Sequence, residues 1–241
     1  MRFGLIGRSL QHSFSKDYFT SKFKTSGANH SYSNFELEKI SVFPELLKQY
    51  PDLGGLNVTI PYKEKIIPFL SSVSDEASEI GAVNTIVIRN GESRGYNTDV
   101  YGFEESLKPL LQSHHTKALV LGTGGASKAV TYVLEKLGIT VLKVSRKPAA
   151  DQVSYHETAG LLMDHLLIIN TTPLGTFPEV QKMPPLDVHV LTPRHLCYDL
   201  IYNPPQTLFL QKAAENGSGI SNGREMLELQ AEKAWEIWNE F

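Results

Sequence analysis

The sequence is poor in cysteine and has no long apolar run. Cys197 is the only cysteine among 241 residues, so no disulfide can form within the chain, which is typical of a reducing compartment. No apolar run approaches the ~18 residues that a membrane span needs. Residues 1–10 lack the basic segment followed by an apolar stretch that marks a secretory signal. We therefore expect a cytoplasmic protein without a membrane partner.

Positive charge is also scarce. Lysine and arginine number 23 against 26 acidic residues, a net charge of −3, so the chain has no cationic surplus to drive nucleic-acid binding. The eight histidines include no pair spaced four residues apart, and we expect no metal site. The apolar fraction of 41% is ordinary for globular proteins and excludes a disordered or fibrous chain. A small-molecule partner remains the main possibility.

The first hundred residues predict an α/β unit that ends near Asp99. Strands are expected at residues 2–6, 31–37, 54–60 and 82–88, and Asn90-Gly91 is a strong hairpin signal. In residues 54–60, apolar Leu56, Val58 and Ile60 alternate with polar Asn57 and Thr59, which predicts one apolar face.

The rest of the chain predicts a doubly wound parallel sheet. The apolar run 118–121 is typical of a buried parallel strand, and a glycine-rich turn, a helix over 126–137 and a strand over 140–144 follow it. Strands at 166–169 and 197–201 continue the pattern, and a helix is expected over 222–238. The predicted fold class is thus α/β, with a Rossmann-like second part.

The turn from Gly122 to Ser127 favours a dinucleotide site. Gly122 permits a tight turn, and Gly124 lets the backbone approach a pyrophosphate at the helix N-terminus; the alternative is a glycine-rich turn without a ligand. NAD sites usually carry an acid about 20 residues further on. Here the sequence reads Ser145-Arg146-Lys147, which suits a 2′-phosphate and favours NADP, unless this is only a solvated basic turn.

Polar residues near the ends of the early strands indicate a substrate site. Ser13 and Ser15 offer paired hydroxyl donors in a loop that could equally be a solvated turn. Lys63 follows the strand that carries Thr59, and as an ammonium it could protonate an alkoxide formed by hydride transfer, although a surface charge is the alternative. Asp99 could orient Lys63 or could cap the following helix.

Eight motifs, in this order along most of the chain, resemble the signatures of shikimate dehydrogenases. They are Gly7…His12-Ser13-Phe14-Ser15, residues 57–63, residues 81–85, Asn97-Thr98-Asp99…Gly102, residues 122–127, residues 170–175, Tyr198-Asp199…Tyr202-Asn203-Pro204, and Gly223…Met226-Leu227…Gln230. The resemblance implies reversible NADPH-dependent reduction of 3-dehydroshikimate to shikimate, on the pathway to chorismate and the aromatic amino acids, by a monomer or homodimer.

The resemblance also implies roles for individual residues. Lys63 and Asp99 would be the catalytic pair, and Ser13 and Ser15 would hold the substrate carboxylate. The ring hydroxyls would bind Thr59, Asn84, Asp99 and Gln230, with Tyr202 nearby. The cofactor would bind Gly122, Gly124, Gly125, Ala126, Ser127, Arg146, Thr171 and the Gly223 backbone. A substrate domain with a mixed sheet, residues 1–100 completed by 222–241, and an NADP domain, residues 101–221, are expected.

The sequence departs from the usual family pattern at Gly7-Arg8-Ser9, Lys16, Phe19-Thr20 and Ser145-Arg146-Lys147. These changes affect a loop and the adenosine side of the cofactor, not Lys63 or Asp99, so they bear on substrate range and on the preference for NADP. Two alternatives to the main interpretation are considered. One is a quinate/shikimate dehydrogenase that uses NAD, or a paralogue acting on another hydroxy acid. The other is a non-catalytic dinucleotide sensor, which would need neither Lys63 nor Asp99.

Overall fold

The computed structural model describes residues 1–10 and 14–240, and the chain divides into two compact units. One unit contains residues 1–98 and 231–241, and the other contains residues 99–230, so the boundary near the C-terminus falls within the last helix. The described helices are α1 (Phe14–Ser26), α2 (Phe43–Gln49), α3 (Asp75–Ile80), α4 (Asp99–Leu107), α5 (Gly125–Lys136), α6 (Leu208–Glu215) and α7 (Arg224–Asn239).

The first unit contains a mixed six-stranded sheet. Its strands are β1 (Arg2–Gly7), β2 (Ser31–Glu36), β3 (Leu53–Val58), β4 (Ser72–Val73), β5 (Thr85–Arg89) and β6 (Glu92–Tyr96). Their order in the sheet is β2-β1-β3-β5-β6-β4. The strands β1, β2 and β3 are parallel, β5 runs antiparallel to β3 and β6, and β4 is parallel to β6.

Two local predictions for this unit need correction. The strand expected at 82–88 begins at Thr85, because α3 ends at Gly81 in a left-handed conformation (φ 69°) and the chain becomes extended only afterwards. The apolar face expected for 54–60 does not include Ile60, which is 74% exposed because β3 ends at Val58. The hairpin is found as predicted, with positive φ at Asn90 and Gly91 between β5 and β6.

The C-terminal part of α7 belongs to the core of the first unit. Trp238 is buried against Phe3 and Phe19, with ring centroids 4.8 and 5.1 Å away, and its Nε1 donates to the carbonyl of Ile86 (3.0 Å). A Cβ at Gly55 would collide with this indole. Glycine in β3 therefore makes room for the tryptophan of a helix that lies almost two hundred residues later in the sequence.

The second unit contains an entirely parallel sheet. Its strands are β7 (Lys117–Leu121), β8 (Thr140–Val144), β9 (Gln152–Val153), β10 (Leu167–Asn170), β11 (Leu196–Asp199) and β12 (Gly219–Asn222). Their order in the sheet is β12-β11-β10-β7-β8-β9. The winding starts at β7, proceeds through β8 and β9, and then continues on the other side of β7, so the strand order reverses between β7 and β10.

The predicted helices of the second unit are present with shifted ends. The first helix of this unit, α4, begins at Asp99 and continues into a 3-10 turn over Lys108–Leu110. The helix expected at 126–137 is α5, and the one expected at 222–238 is α7. Residues 118–121 and 167–169 are completely buried, as the continuous apolar runs predict for strands covered on both faces.

Candidate active site

The turn after β3 carries Thr59 and Lys63, both half-buried. The Thr59 N–H donates to the carbonyl of Ile6 (2.9 Å), which fixes the turn to the end of β1. The carbonyl of Lys63 accepts from the N–H of Val83 (2.7 Å). These bonds place Lys63 beside the segment that contains Asn84, so the first unit brings together two predicted site residues that are 21 positions apart.

The Asn84 side chain is held by a buried hydrogen-bond network. Its Oδ1 accepts from the N–H of Thr98 (2.7 Å) and from the hydroxyl of Thr85 (3.1 Å), and its Nδ2 donates to Thr98 Oγ1 (3.1 Å). Asn84 is only 3% exposed. The amide thus fixes the backbone immediately before Asp99.

The start of α1 brings Ser15 beside Tyr32 of β2, whereas Ser13 lies outside the described residues. Burial raises the pKa of the Tyr32 phenol well above its usual value, and the hydrogen bond with Ser15 offsets part of this shift. The Tyr32 hydroxyl also donates to Asn57 Oδ1 (2.7 Å). Ser15 is therefore tied through Tyr32 to the polar face of β3.

Asp99 and Gln230 both belong to the second unit and lie on helices that pack closely. Asp99 is the first residue of α4 and is 6% exposed, at the helix end that favours negative charge. One turn later, a Cβ at Gly102 would lie 3.0 Å from Cβ of Gln230. Glycine at this position lets α7 approach α4 closely. The pairing of Asp99 with Lys63, which is part of the other unit, stays a prediction.

The glycine-rich turn leads from β7 into α5 and leaves the N-terminus of this helix accessible. Gly122 has φ 107°, a conformation that other residues rarely adopt. Gly124 occupies the N-cap position without a side-chain cap, and among the described residues outside this turn no heavy atom lies within 4 Å of where its Cβ would be. Because the first N–H groups of a helix have no partner within it, this open end can bind an anion such as a pyrophosphate.

The residues following Gly124 complete this turn. Gly125 and Ala126 form the first turn of α5 and are half-buried, while Ser127 is 1% exposed and belongs to the packed side of the helix. The Thr171 hydroxyl donates to the carbonyl of Leu121 (2.7 Å), and a Cβ at Gly122 would lie 2.8 Å from Thr171 Oγ1. The loops after β7 and β10 therefore meet where the strand order reverses, the usual ligand position in such sheets.

Arg146 and Lys147 are exposed in the turn after β8. Ser145 shapes this turn, because its Oγ accepts from the N–H of Lys147 (3.2 Å). Burial raises the pKa of the Tyr155 phenol, and the nearby positive charge of Arg146 offsets part of the rise. The exposed guanidinium group in the turn after β8 can bind an anionic ligand.

Tyr202 and Gly223 lie in the segments that follow β11 and β12. Tyr202 is half-buried in the loop after β11. The N–H of Gly223 donates to the carbonyl of Ile201 (3.1 Å), and any Cβ at Gly223 would collide with the carbonyl of Leu200. The Gly223 backbone therefore rests directly on the loop that carries Tyr202.

Comparison with known proteins identifies the family. Residues 5–86 match the family model described as the shikimate dehydrogenase substrate binding domain. The shikimate dehydrogenase (NADP(+)) of Caldanaerobacter subterraneus subsp. tengcongensis is 39% identical over an alignment that covers 98% of this chain and 90% of that protein. This chain belongs to the shikimate dehydrogenase family. The family and the enzyme class predicted from the eight motifs are thus confirmed.

Solved structures of relatives share the α/β fold. Shikimate 5-dehydrogenase from Thermus thermophilus, in complex with NADP(H) and shikimate, is 30% identical with a TM-score of 0.85, and the match covers 100% of this chain and 94% of that one. Quinate dehydrogenase from Corynebacterium glutamicum, in complex with NAD, is 25% identical with a TM-score of 0.89, and the match covers 100% and 94%. The predicted fold class is confirmed, but the fold alone does not distinguish NADP from NAD.

The structure also shows polar groups to which the sequence analysis assigned no role. Tyr32 supports Ser15, and Asp199 is a buried carboxylate at the end of β11. The sequence feature that points to Asp199 is an acidic residue at the end of an apolar strand, and the sequence analysis did not use it. In the described part of the chain, no group of three or more His, Cys, Asp or Glu residues could hold a metal ion, and no helix is long and apolar enough to cross a membrane.

Proposed function

We propose that this chain catalyses the reversible reduction of 3-dehydroshikimate to shikimate with NADPH as the reductant. The observation that carries the proposal is the 39% identity, over 98% of the chain, to a shikimate dehydrogenase (NADP(+)). The open N-terminus of α5 and the exposed Arg146 fit a phosphorylated dinucleotide. When bound, NADPH supplies the hydride.

In this mechanism the chain itself binds the substrate and supplies the proton. Lys63, as an ammonium, donates a proton to the carbonyl oxygen of 3-dehydroshikimate as that oxygen becomes an alkoxide, and solvent later reprotonates the amine. Asp99 orients the Lys63 ammonium and the reacting hydroxyl. Ser13 and Ser15 bind the substrate carboxylate, and the ring hydroxyls bind Thr59, Asn84 and Gln230, with Tyr202 beside them.

The proposed cofactor site lies in the nucleotide-binding sheet. The backbone of Gly122, Gly124, Gly125, Ala126 and Ser127 surrounds the pyrophosphate, and the guanidinium of Arg146 binds the 2′-phosphate. Thr171 and the Gly223 backbone complete the site. Support comes from the contact between the loops after β7 and β10 and from the exposed basic turn.

The proposal extends to the organisation and setting of the enzyme. Residues 1–100, completed by 222–241, form the substrate domain, and residues 101–221 form the NADP domain. The division into two compact units, with residues 231–241 in the first, supports this arrangement, whereas residues 99–100 and 222–230 fall in the second unit. The enzyme works in the cytoplasm as a monomer or homodimer, on the pathway to chorismate and the aromatic amino acids. A single cysteine is compatible with a reducing compartment.

The test is an assay of shikimate and quinate with NADP+ and with NAD+. We expect kcat/KM for shikimate to be at least about tenfold higher with NADP+ than with NAD+, equivalent to ~1.4 kcal/mol. Arg146→Ala should reduce this ratio, whereas Arg194→Ala, which removes another exposed arginine of the same unit, should preserve it. Equal use of both cofactors would refute the role of Arg146, and faster oxidation of quinate would favour the quinate alternative.

A further inference from the structure

Asp199 is a carboxylate with no exposed surface at the C-terminal end of β11. Its Oδ1 accepts from Nδ2 of Asn170 and from the N–H of Ile201, both at 3.0 Å. Its Oδ2 accepts from the hydroxyl of Thr207 (2.7 Å). Burial raises the pKa of this carboxyl to about 6, and the three hydrogen bonds oppose the rise. Both oxygens are thus used as acceptors inside the protein.

One of these bonds leads to the loop that carries Thr171. Asn170 ends β10, and while its Nδ2 donates to Asp199, its Oδ1 accepts from both the N–H (3.0 Å) and the hydroxyl (2.7 Å) of Thr172. The residues on either side of Thr171 are therefore fixed by a chain of bonds that starts at Asp199. Thr171 in turn bonds to the end of β7 next to the glycine-rich turn.

The other two bonds enclose the loop that carries Tyr202. Ile201 immediately precedes Tyr202, and Thr207 ends the loop as the N-cap of α6, where its Oγ1 accepts from the N–H of Leu210. The carbonyl of Ile201 also receives the N–H of Gly223. Asp199 thus holds the start and the end of this loop and, through Ile201, supports the Gly223 backbone.

The three bonds require both side-chain positions Oδ1 and Oδ2 of residue 199 to accept hydrogen bonds, and the side chain of asparagine has only one accepting oxygen. An asparagine could keep the bonds from Asn170 and Ile201, but its amide would then point N–H groups at the Thr207 hydroxyl. That hydroxyl would lose the acceptor for its own proton while it still caps α6. A carboxylate is the side chain of this size that accepts all three bonds, which explains an acid at a site where burial is costly.

We propose that Asp199 is a positioning residue that holds the two loops carrying Thr171, Tyr202 and Gly223 in the conformation that binds NADP and substrate. This inference rests on the proposed function, because these three residues are assigned to ligands only there. Asp199 has no exposed surface with which to contact a ligand. It acts through Asn170, Ile201 and Thr207, which connect the ends of β10 and β11 to the start of α6.

The experiment compares Asp199→Asn with the wild-type chain in two measurements. NADP+ affinity is determined by titration calorimetry without substrate, and kcat and KM are determined for shikimate oxidation. We expect the Kd for NADP+ and the KM for shikimate to rise at least about fivefold, with kcat within about twofold of wild type, because binding residues are displaced while Lys63 is untouched. Ser218→Ala removes a buried hydroxyl bond just before the N-terminal end of β12, whereas Asp199 lies at the C-terminal end of the neighbouring parallel strand β11, so this control should change neither constant.

A second pair of variants keeps the test decisive if Asp199→Asn does not fold. Thr207→Val removes one donor to Asp199, and Thr207→Ser keeps the hydroxyl. We expect weaker NADP+ binding in the valine variant and recovery in the serine variant, with circular dichroism confirming that both are folded. If the Kd for NADP+ and the KM for shikimate in Asp199→Asn, or the Kd for NADP+ in Thr207→Val, equal those of the wild-type chain, the inference is overturned and the proposed function stays intact. A wild-type chain that binds NADP+ but does not oxidise shikimate would overturn the substrate assignment, while an affinity loss in Asp199→Asn would still support positioning.

Discussion

The buried carboxyl of Asp199 should make the stability of the second unit depend on pH. Its pKa is raised from an ordinary 3.8 to about 6 in the folded protein, chiefly by burial. Below pH 3.8 the group is protonated in both folded and unfolded chains and adds no penalty. As the pH rises towards 6, the unfolded chain releases its proton first, so the free energy of unfolding decreases. Above about 6 both states are ionised and the penalty is constant.

The size of the penalty follows from the two pKa values. Between 3.8 and about 6, at about 1.36 kcal/mol per pKa unit, the loss is about 3 kcal/mol. No solvent screening reduces it, since Asp199 has no exposed surface. The neighbouring Cys197 thiol does not titrate in this window, because burial raises its pKa to about 12.

Asp199→Asn removes the titrating group and isolates its contribution. We expect the free energy of unfolding of the variant, relative to wild type, to increase by about 3 kcal/mol between about pH 3.5 and about pH 7.5. Urea unfolding of both proteins over this range measures the difference, and groups common to both proteins cancel. A difference that stays constant within about 1 kcal/mol would refute the argument that burial controls this carboxyl.

Two other substitutions test the first unit. Lys63→Ala should lower kcat about 10²- to 10⁴-fold and leave the affinity for shikimate largely unchanged, because the loss of the proton donor affects the transition state more than substrate binding. An unchanged kcat in steady-state assays would remove Lys63 from the mechanism. Trp238→Ala should lower the free energy of unfolding by about 3–5 kcal/mol in urea titrations, because it empties a buried site and removes the hydrogen bond from the indole N–H to the Ile86 carbonyl. Trp235→Ala, at a half-buried position of the same helix, should cost less, and equal losses would contradict the packing argument.

Much of the architecture could be predicted from local sequence. The apolar run 118–121, followed by glycines and a helix, predicted the start of the parallel sheet because a strand buried on both faces needs apolar residues at every position. Asn90-Gly91 predicted the hairpin because few residues tolerate positive φ. The order of the motifs indicated the family, which the comparison with known proteins confirms.

The contacts of the candidate site were harder to predict from the sequence where they join residues that are far apart along the chain. The exposure of Ile60 could not be predicted from alternation, since the end of β3 is set by pairing with other strands. The closeness of Gln230 to α4 requires Gly102, more than a hundred residues earlier in the sequence. Asp199 accepts from the nearby Ile201 and Thr207, but its bond from Asn170 depends on β10 lying beside β11, which is known only from the sheet order.

The sequence by itself therefore determined the α/β class, the glycine-rich turn after a buried strand and the choice of candidate residues, because these follow from side-chain type and short-range spacing. The tertiary structure decided which of those residues are brought together within each unit. Gly55 makes room for Trp238, and Asp199 joins the loops of Thr171 and Tyr202. The physical reason is that burial and hydrogen bonding depend on which strands and helices become neighbours, and the chain order alone does not fix that arrangement.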